Sequence, residues 1–269
     1  MELGLRGFIF DLDGTVYLGE RALPGAVETI AALRGRGLKS VFMSNKPLEP
    51  GRAYAAKLTR LGIPTAADDV ITSARVMGAH LARVAPGARV FVIGEAPLLE
   101  EMRQAGMRLV EEPAQIEYVV AAFDRTFDYR KWNIAFQALK FHGAHFVATN
   151  ADRSCPVEGG EIPDCAGIIA ALEATTGKRV EFVAGKPSPL MIQAAVDRLG
   201  VPVEQCLVIG DRLETDVVMG RAAGARTALV LTGVTRRAHL ANAPAQPDYV
   251  LDNIGAVMRV VLARSNADV

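Results

Sequence analysis

The chain has 269 residues, half of them apolar, with 30 acidic and 30 basic side chains and no formal net charge. That length can bury one large core, or a core with a smaller domain, and the charge balance excludes a disordered polymer and gives no reason to expect nucleic acid or an anionic membrane as partner. No apolar stretch reaches the length of a membrane span, and Cys155, Cys165 and Cys206 form no CxxC pair, so neither a disulfide scaffold nor a zinc site is expected and a reduced, cytoplasmic setting fits.

The amino terminus, Met1-Glu2-Leu3-Gly4-Leu5-Arg6-Gly7, lacks the basic head and long apolar body of a signal peptide. It runs into Phe8-Ile9-Phe10-Asp11-Leu12-Asp13-Gly14-Thr15, an apolar strand buried on both faces that ends in two aspartates. If extension continues to Asp13, the period of two points both carboxylates to one side. At the carboxyl end of a parallel strand such acids repel each other and cost desolvation, which suggests a cation or a proton-transfer task. One could act as nucleophile while the other moves a proton. The alternative is a solvated Asp-Leu-Asp-Gly turn.

Pro24 opens a helix through Leu33, and Gly35-Arg36-Gly37 stops it. Lys39–Met43 is a strand ending at Ser44-Asn45-Lys46-Pro47; a helix over Ala53–Leu61 and a short strand Val70-Ile71-Thr72-Ser73 follow. Next come strand Arg89–Ile93, helix Pro97–Gln104, strand Tyr118–Phe123, helix Tyr129–Lys140 and strand His145–Ala148. A polar loop with Gly and Pro runs from Asn150 to about Pro163, then helix Ile168–Thr176 closed by Gly177 and strand Glu181–Ala184. After Gly185-Lys186-Pro187, Ser188 caps a helix that Gly200 stops. Strands Cys206–Ile209, Thr227–Leu231 and Tyr249–Leu251 complete an alternating α/β pattern with mostly parallel strands.

Asp211 follows its apolar run as Asp11 does, and Asp216 lies one turn further on. Converging carboxylates suit Mg2+, and the scattered histidines, His80, His142, His145 and His239, offer no rival site. Glu214 reads better as an acid complementing a helix dipole, an alternative that also stands for Asp216. Ser44, Asn45 and Lys186 supply a hydroxyl, amides and an ammonium for a phosphate, although Lys186 also suits an exposed loop.

Taken together, Asp11-Leu12-Asp13-Gly14-Thr15, Ser44-Asn45, Gly185-Lys186-Pro187 and Gly210-Asp211-Arg212-Leu213-Glu214-Thr215-Asp216 strongly resemble the haloacid dehalogenase superfamily over nearly the whole chain. With Ala148-Thr149-Asn150 and Asp152, the last of these resembles its NagD-like, para-nitrophenyl phosphatase-like branch, which also holds nucleotide, phosphoglycolate and pyridoxal phosphatases. Ser44-Asn45 and Asp152-Arg153-Ser154 look most like sugar-phosphate phosphatases of arabinose-operon type.

The resemblance implies a Rossmann-like core, residues 1–78 and 181–269, with an α/β cap inserted at residues 79–180. Ser44 and Lys186 stand about 140 residues apart, far beyond one crossover, and the excess is itself strand–helix alternating. It further implies a Mg2+-dependent phosphatase acting on a small phosphorylated metabolite. Asp11 is the expected nucleophile and Asp13 the general acid and base; Asp11, the Asp13 carbonyl, Asp211 and Asp216 serve the metal, and Ser44, Asn45 and Lys186 bind phosphate. Asp13 argues against the namesake dehalogenase reaction, and the want of a membrane domain against a transport ATPase; a phosphomutase or a non-catalytic phospho-ligand-binding regulator are the remaining alternatives. Asn150 and Asp152 are expected to face the substrate from the cap. Pro163-Asp164-Cys165-Ala166-Gly167 departs from the Pro-Gly-rich turn common there, and Asp164 reads best as a helix N-cap. A homodimer through the caps is a further expectation of the resemblance.

Overall fold

The computed structural model describes residues 4–157 and 159–262; Met1, Glu2 and Leu3 of the amino-terminal stretch and Glu158 of the long loop lie outside them. Contacts divide the chain into two units. One runs up to Ser44, resumes at Gly51–Ile71 and again from Lys186 onward; the other comprises Asn45–Pro50 and Thr72–Gly185. The predicted insertion, residues 79–180, lies within the second.

The first unit opens with β1 (Gly7–Asp11), every residue of it buried, as the uninterrupted apolar run requires. A small hairpin follows, β2 (Tyr17–Leu18) and β3 (Arg21–Ala22). The predicted helix from Pro24 begins later, as α1 (Ala26–Gly35), because Gly25 takes a left-handed backbone at φ 81 and stands outside it. Next are β4 (Lys39–Ser44), α2 (Gly51–Arg60) and β5 (Val70–Thr72).

Ser73 belongs to no strand. It starts α3 (Ser73–Val84), a helix that strand-like Val70-Ile71-Thr72-Ser73 hid, and the Thr72 hydroxyl caps it by accepting from the Arg75 N–H at 3.2 Å. The second unit continues through β6 (Arg89–Ile93), α4 (Ala96–Gln104), β7 (Arg108–Leu109), β8 (Tyr118–Ala121), α5 (Tyr129–Phe141) and β9 (His145–Ala148). The expected loop after Asn150 is instead largely a hairpin, β10 (Ser154–Val157) against β11 (Gly160–Pro163), with Gly159 at φ 83 in its turn. Then come α6 (Cys165–Thr176), stopped by left-handed Gly177, and β12 (Phe182–Val183), shorter than the expected strand. The parallel sheet of this unit has the order β12-β9-β8-β6-β7, packed on Ile93, Val119, Ala121, Leu139, Phe146 and Leu172.

Back in the first unit, Ser188 caps α7 (Pro189–Leu199) and Gly200 ends it in a left-handed conformation, as expected. β13 (Cys206–Gly210), α8 (Val218–Ala223), β14 (Arg226–Val230), β15 (Tyr249–Leu251) and α9 (Val257–Leu262) complete the chain. The six strands lie in the order β15-β14-β13-β1-β4-β5. Phe8, Phe10 and Phe42 stack across β1 and β4, with ring centres 6.5 and 5.9 Å apart. β1 is central: the chain builds outward through β4 and β5 on one side and through β13, β14 and β15 on the other. The order reverses beside β1, and the crevice at such a reversal is where open parallel sheets bind ligands. Among the described residues no helix is long and apolar enough to cross a membrane.

Candidate active site

Parallel register delivers the acids to neighbouring strand ends. Phe10 pairs with Ile209 and Asp11 with Met43, so Asp11, Ser44 and Asp211 emerge together from β1, β4 and just beyond β13. Asp216 returns to the same place through a π-helical turn, Leu213–Val217, in place of the ordinary turn expected. Two glycines make room. A Cβ on Gly210 would stand 2.2 Å from the Asp216 Cγ, and one on Gly233 would stand 1.9 Å from the Asp211 Oδ2. Gly233 was not anticipated; its signal in the sequence is a glycine just past the apolar run of β14.

Carboxylate oxygens of Asp11, Asp211 and Asp216 lie within 4.8 Å of one another, all three residues buried. Lys186, 5% exposed, donates through Nζ to Asp11 Oδ1 and to Asp216 Oδ1, the latter at 2.7 Å. Asp216 Oδ2 accepts from the Arg212 N–H at 3.2 Å, and Asp211 Oδ2 from the Val234 N–H at 2.6 Å. The exposed-loop alternative for Lys186 is therefore set aside.

Two of the three acids, Asp11 and Asp216, bond this ammonium, and Asp211 lies beside them. Burial pushes the Asp11 carboxyl well above the ordinary range; Lys186 pulls the other way, while Asp216 and Asp211 add repulsion. Asp211 is pushed up to about 6, first by burial and then by Asp216, against the Val234 N–H. For Lys186, burial disfavours the charge, but Asp11 and Asp216 outweigh it and the ammonium is stabilised. The carboxylate excess and the purely oxygen donor set fit a hard divalent cation such as Mg2+, which Asp11, Asp211 and Asp216 would hold.

Asp13 stands apart from that trio. β1 ends at Asp11, so regular strand pairing stops two residues before Asp13. The chain turns around the Leu12 carbonyl, which accepts from the N–H groups of Val16 and Tyr17, and half-buried Asp13 forms an isolated bridge with Tyr17. Ser44 is the buried last residue of β4. Glu214 is exposed in its turn. Thr15 is fully buried, and its hydroxyl has no hydrogen-bond partner among the described residues.

In the second unit, the Asn45 amide nitrogen donates to Asp152 Oδ2 at 3.0 Å. Asn150 is fully buried, donating to the same Asp152 oxygen at 3.0 Å and to Asp164 Oδ1 at 2.9 Å. Asp164 is the N-cap of α6 and accepts from the Cys165 N–H at 2.6 Å. A cavity of about 660 Å³ opens at the other end of this sheet, where its strands begin, lined by Arg89, Arg108, Tyr118 and His145 among others. None of the predicted site residues lines it, and its charges are largely spent on neighbours: Arg89 on Glu117 and His145 on Glu181.

Two family profiles match the chain: haloacid dehalogenase-like hydrolase over residues 8–108 and HAD-hydrolase-like over residues 183–257. The sugar-phosphatase AraL of Bacillus subtilis is 39% identical, covering 94% of this chain and 92% of its own. The 5′-nucleotidase YutF of the same organism is 32% identical over 93% of this chain and 96% of its own. The crystal structure of a 4-nitrophenylphosphatase from Thermotoga maritima superimposes with a TM-score of 0.91 at 35% identity, over 96% of this chain and 98% of that one.

Proposed function

The chain belongs to the haloacid dehalogenase-like hydrolases, in the NagD-like branch, and is a phosphoric monoester hydrolase; from that premise we propose a Mg2+-dependent phosphatase of small sugar phosphates acting through an aspartyl-phosphate. The observation that carries the reading is buried Asp11, held by Lys186 beside Asp211 and Asp216 at the sheet's reversal point.

In the first step the Asp11 carboxylate attacks phosphorus in line. The bond to the ester oxygen breaks, and Asp13 gives that oxygen its proton, releasing the alcohol. In the second step Asp13 takes a proton from a water that attacks the aspartyl-phosphate, freeing inorganic phosphate and restoring Asp11. Lys186, Ser44 and Asn45 stabilise charge on the phosphoryl oxygens, the principal contribution in phosphoryl transfer. Asp11, Asp211 and Asp216 would hold a divalent cation, which would offset the repulsion between these acids and a phosphate. That Asp13 is half-buried and is not one of the clustered carboxylates supports a proton-transfer role for its side chain.

Sugar phosphates are favoured because the sugar-phosphatase relative shares more identity with this chain than the 5′-nucleotidase relative does. The test is a screen of phosphate monoesters with Mg2+. Saturable turnover of a sugar phosphate, with weak turnover of nucleotides, phosphoglycolate and pyridoxal phosphate, is the expected result. A preference for nucleoside monophosphates would replace the substrate assignment, and transfer of labelled phosphate to a second site on the sugar would replace hydrolysis by a mutase reaction.

A further inference from the structure

Asn45 is a phosphate-binding candidate whose side chain is hydrogen-bonded within the second unit. A carboxamide is ambiguous by nature: rotated by half a turn, it offers a carbonyl where it had offered two N–H groups. Its use to a phosphate depends on which end faces the anion. Asp152 Oδ2 is the acceptor here, so it draws the Asn45 nitrogen, not its oxygen, to that side.

The seat of Asn45 is otherwise well defined. Its backbone carbonyl accepts from the Ser73 hydroxyl at 2.7 Å. Asp152 is itself held by Asn150, whose carbonyl oxygen accepts from the Thr149 hydroxyl at 3.1 Å and whose nitrogen also reaches Asp164. On its other side the Asn45 carboxamide oxygen lies against Gly185: a Cβ there would come within 2.6 Å of that oxygen and 2.5 Å of the Thr149 carbonyl. Gly185 is not among the left-handed glycines, so its small size is what the position uses.

We propose that Asp152 and Gly185 are positioning residues that fix the orientation of the Asn45 carboxamide, so that Asp152 acts on the phosphoryl group through Asn45 and does not read the leaving group. This rests on the phosphatase reading above. It assigns to Asp152 a role common to every substrate, whereas a residue facing the sugar would discriminate among them.

Three measurements test it. First, Asp152→Ala should lower kcat/KM by about 10- to 100-fold, the scale of a lost supporting partner or a misplaced group, and by the same factor for 4-nitrophenyl phosphate as for a sugar phosphate. Asp152→Asn keeps an acceptor oxygen for Asn45 and should restore most of that loss. Second, in an Asn45→Ala background, Asp152→Ala should have little further effect, because residues acting through one group are not additive. Third, Gly185→Ala should lower kcat/KM alike on both substrates and weaken inhibition by inorganic phosphate. Circular dichroism separates these outcomes from misfolding, and Asp152→Asn and Gly185→Ala keep the test decisive should Asp152→Ala not fold. A loss confined to the sugar phosphate, or effects of Asn45→Ala and Asp152→Ala that multiply in full, would overturn the positioning role. Wild-type protein that turns over no phosphate ester would instead overturn the functional reading, and this inference with it.

Discussion

Asp11 and Asp124 are both buried aspartates at the end of an apolar run, and the two ends have opposite characters. Asp124, shortly after β8, is 6% exposed. Its Oδ2 accepts from Lys131 Nζ at 2.6 Å, and its Oδ1 accepts from the Thr126 N–H and hydroxyl at 2.8 and 2.7 Å. One acid there meets one cation and two further donors. Asp11, at the end of β1, shares its single ammonium with Asp216 and faces Asp211 as well. Burial of an acid is therefore no sign of function by itself. What distinguishes the β1 end is three clustered buried carboxylates around one ammonium, a donor set that fits a dication.

The largest expected effect breaks the comparison open. Asp11→Asn should reduce turnover of 4-nitrophenyl phosphate by at least about a thousandfold, as loss of a nucleophile does, with an unchanged circular dichroism spectrum. Asp124→Asn should leave kcat within about twofold and cost about 1–3 kcal/mol in urea unfolding, because it breaks hydrogen bonds to a charged group and leaves Lys131 without that partner. Full activity of Asp11→Asn would sink the nucleophile assignment.

A smaller effect concerns the cation. Chelation should abolish activity and Mg2+ restore it, and Mg2+ at about 100 times its Kd should stabilise the protein by about 2.7 kcal/mol. Asp211→Asn should remove most of that stabilisation while Asp124→Asn should retain it; a thermal shift titration separates them. Smaller again, Gly233→Ala should raise the Mg2+ concentration for half-maximal activity by about tenfold, the scale of a displaced supporting group, because its Cβ would crowd Asp211.

The smallest effect is one of sign with pH. In the metal-free protein Asp211 is held up to about 6 against an ordinary 3.8, so its contribution to stability is fully present below 3.8 and is lost as pH rises through about 6. Asp248 behaves oppositely. Burial would raise it, but the Thr227 N–H and hydroxyl, Arg226 and Arg221 hold it below the ordinary value. Its contribution is present above 3.8 and is lost as pH falls through its depressed value. Urea midpoints of Asp211→Asn and Asp248→Asn relative to wild type should therefore diverge in opposite directions across this range.

The alternating α/β order, the caps of α7 and the acids at strand ends were legible because each depends on neighbours in sequence. Phe10-Asp11 and Phe123-Asp124 look alike there, since Lys131 compensates one through the fold and Lys186, 175 residues away, must serve the other together with Asp216. The departure of Asp13 from the strand was illegible for a similar reason: it follows from a turn closed around the Leu12 carbonyl. The start of α3 was readable in principle from Thr72 and the helical spacing of Ala74, Met77 and Leu81, but the apolar run before it masked the change of period. Gly233 and Gly185 could be seen only as clearances, and a clearance exists only once the opposing side chain is in place.

The line between the two units crosses the chain four times, and two of those crossings fall between Ser44 and Asn45 and between Gly185 and Lys186. Each separates adjacent residues of one motif by a single peptide bond. The protein is for that reason indivisible in a practical sense. The second unit cut out by itself would carry away Asn45 with its seat, and the first would keep Asp11, Lys186, Asp211 and Asp216 but lack the amide proposed above as a phosphate ligand. On the reading proposed above, an exchange of the second unit between relatives would have to place its junctions away from Ser44-Asn45 and Gly185-Lys186, or move a proposed phosphate ligand along with it.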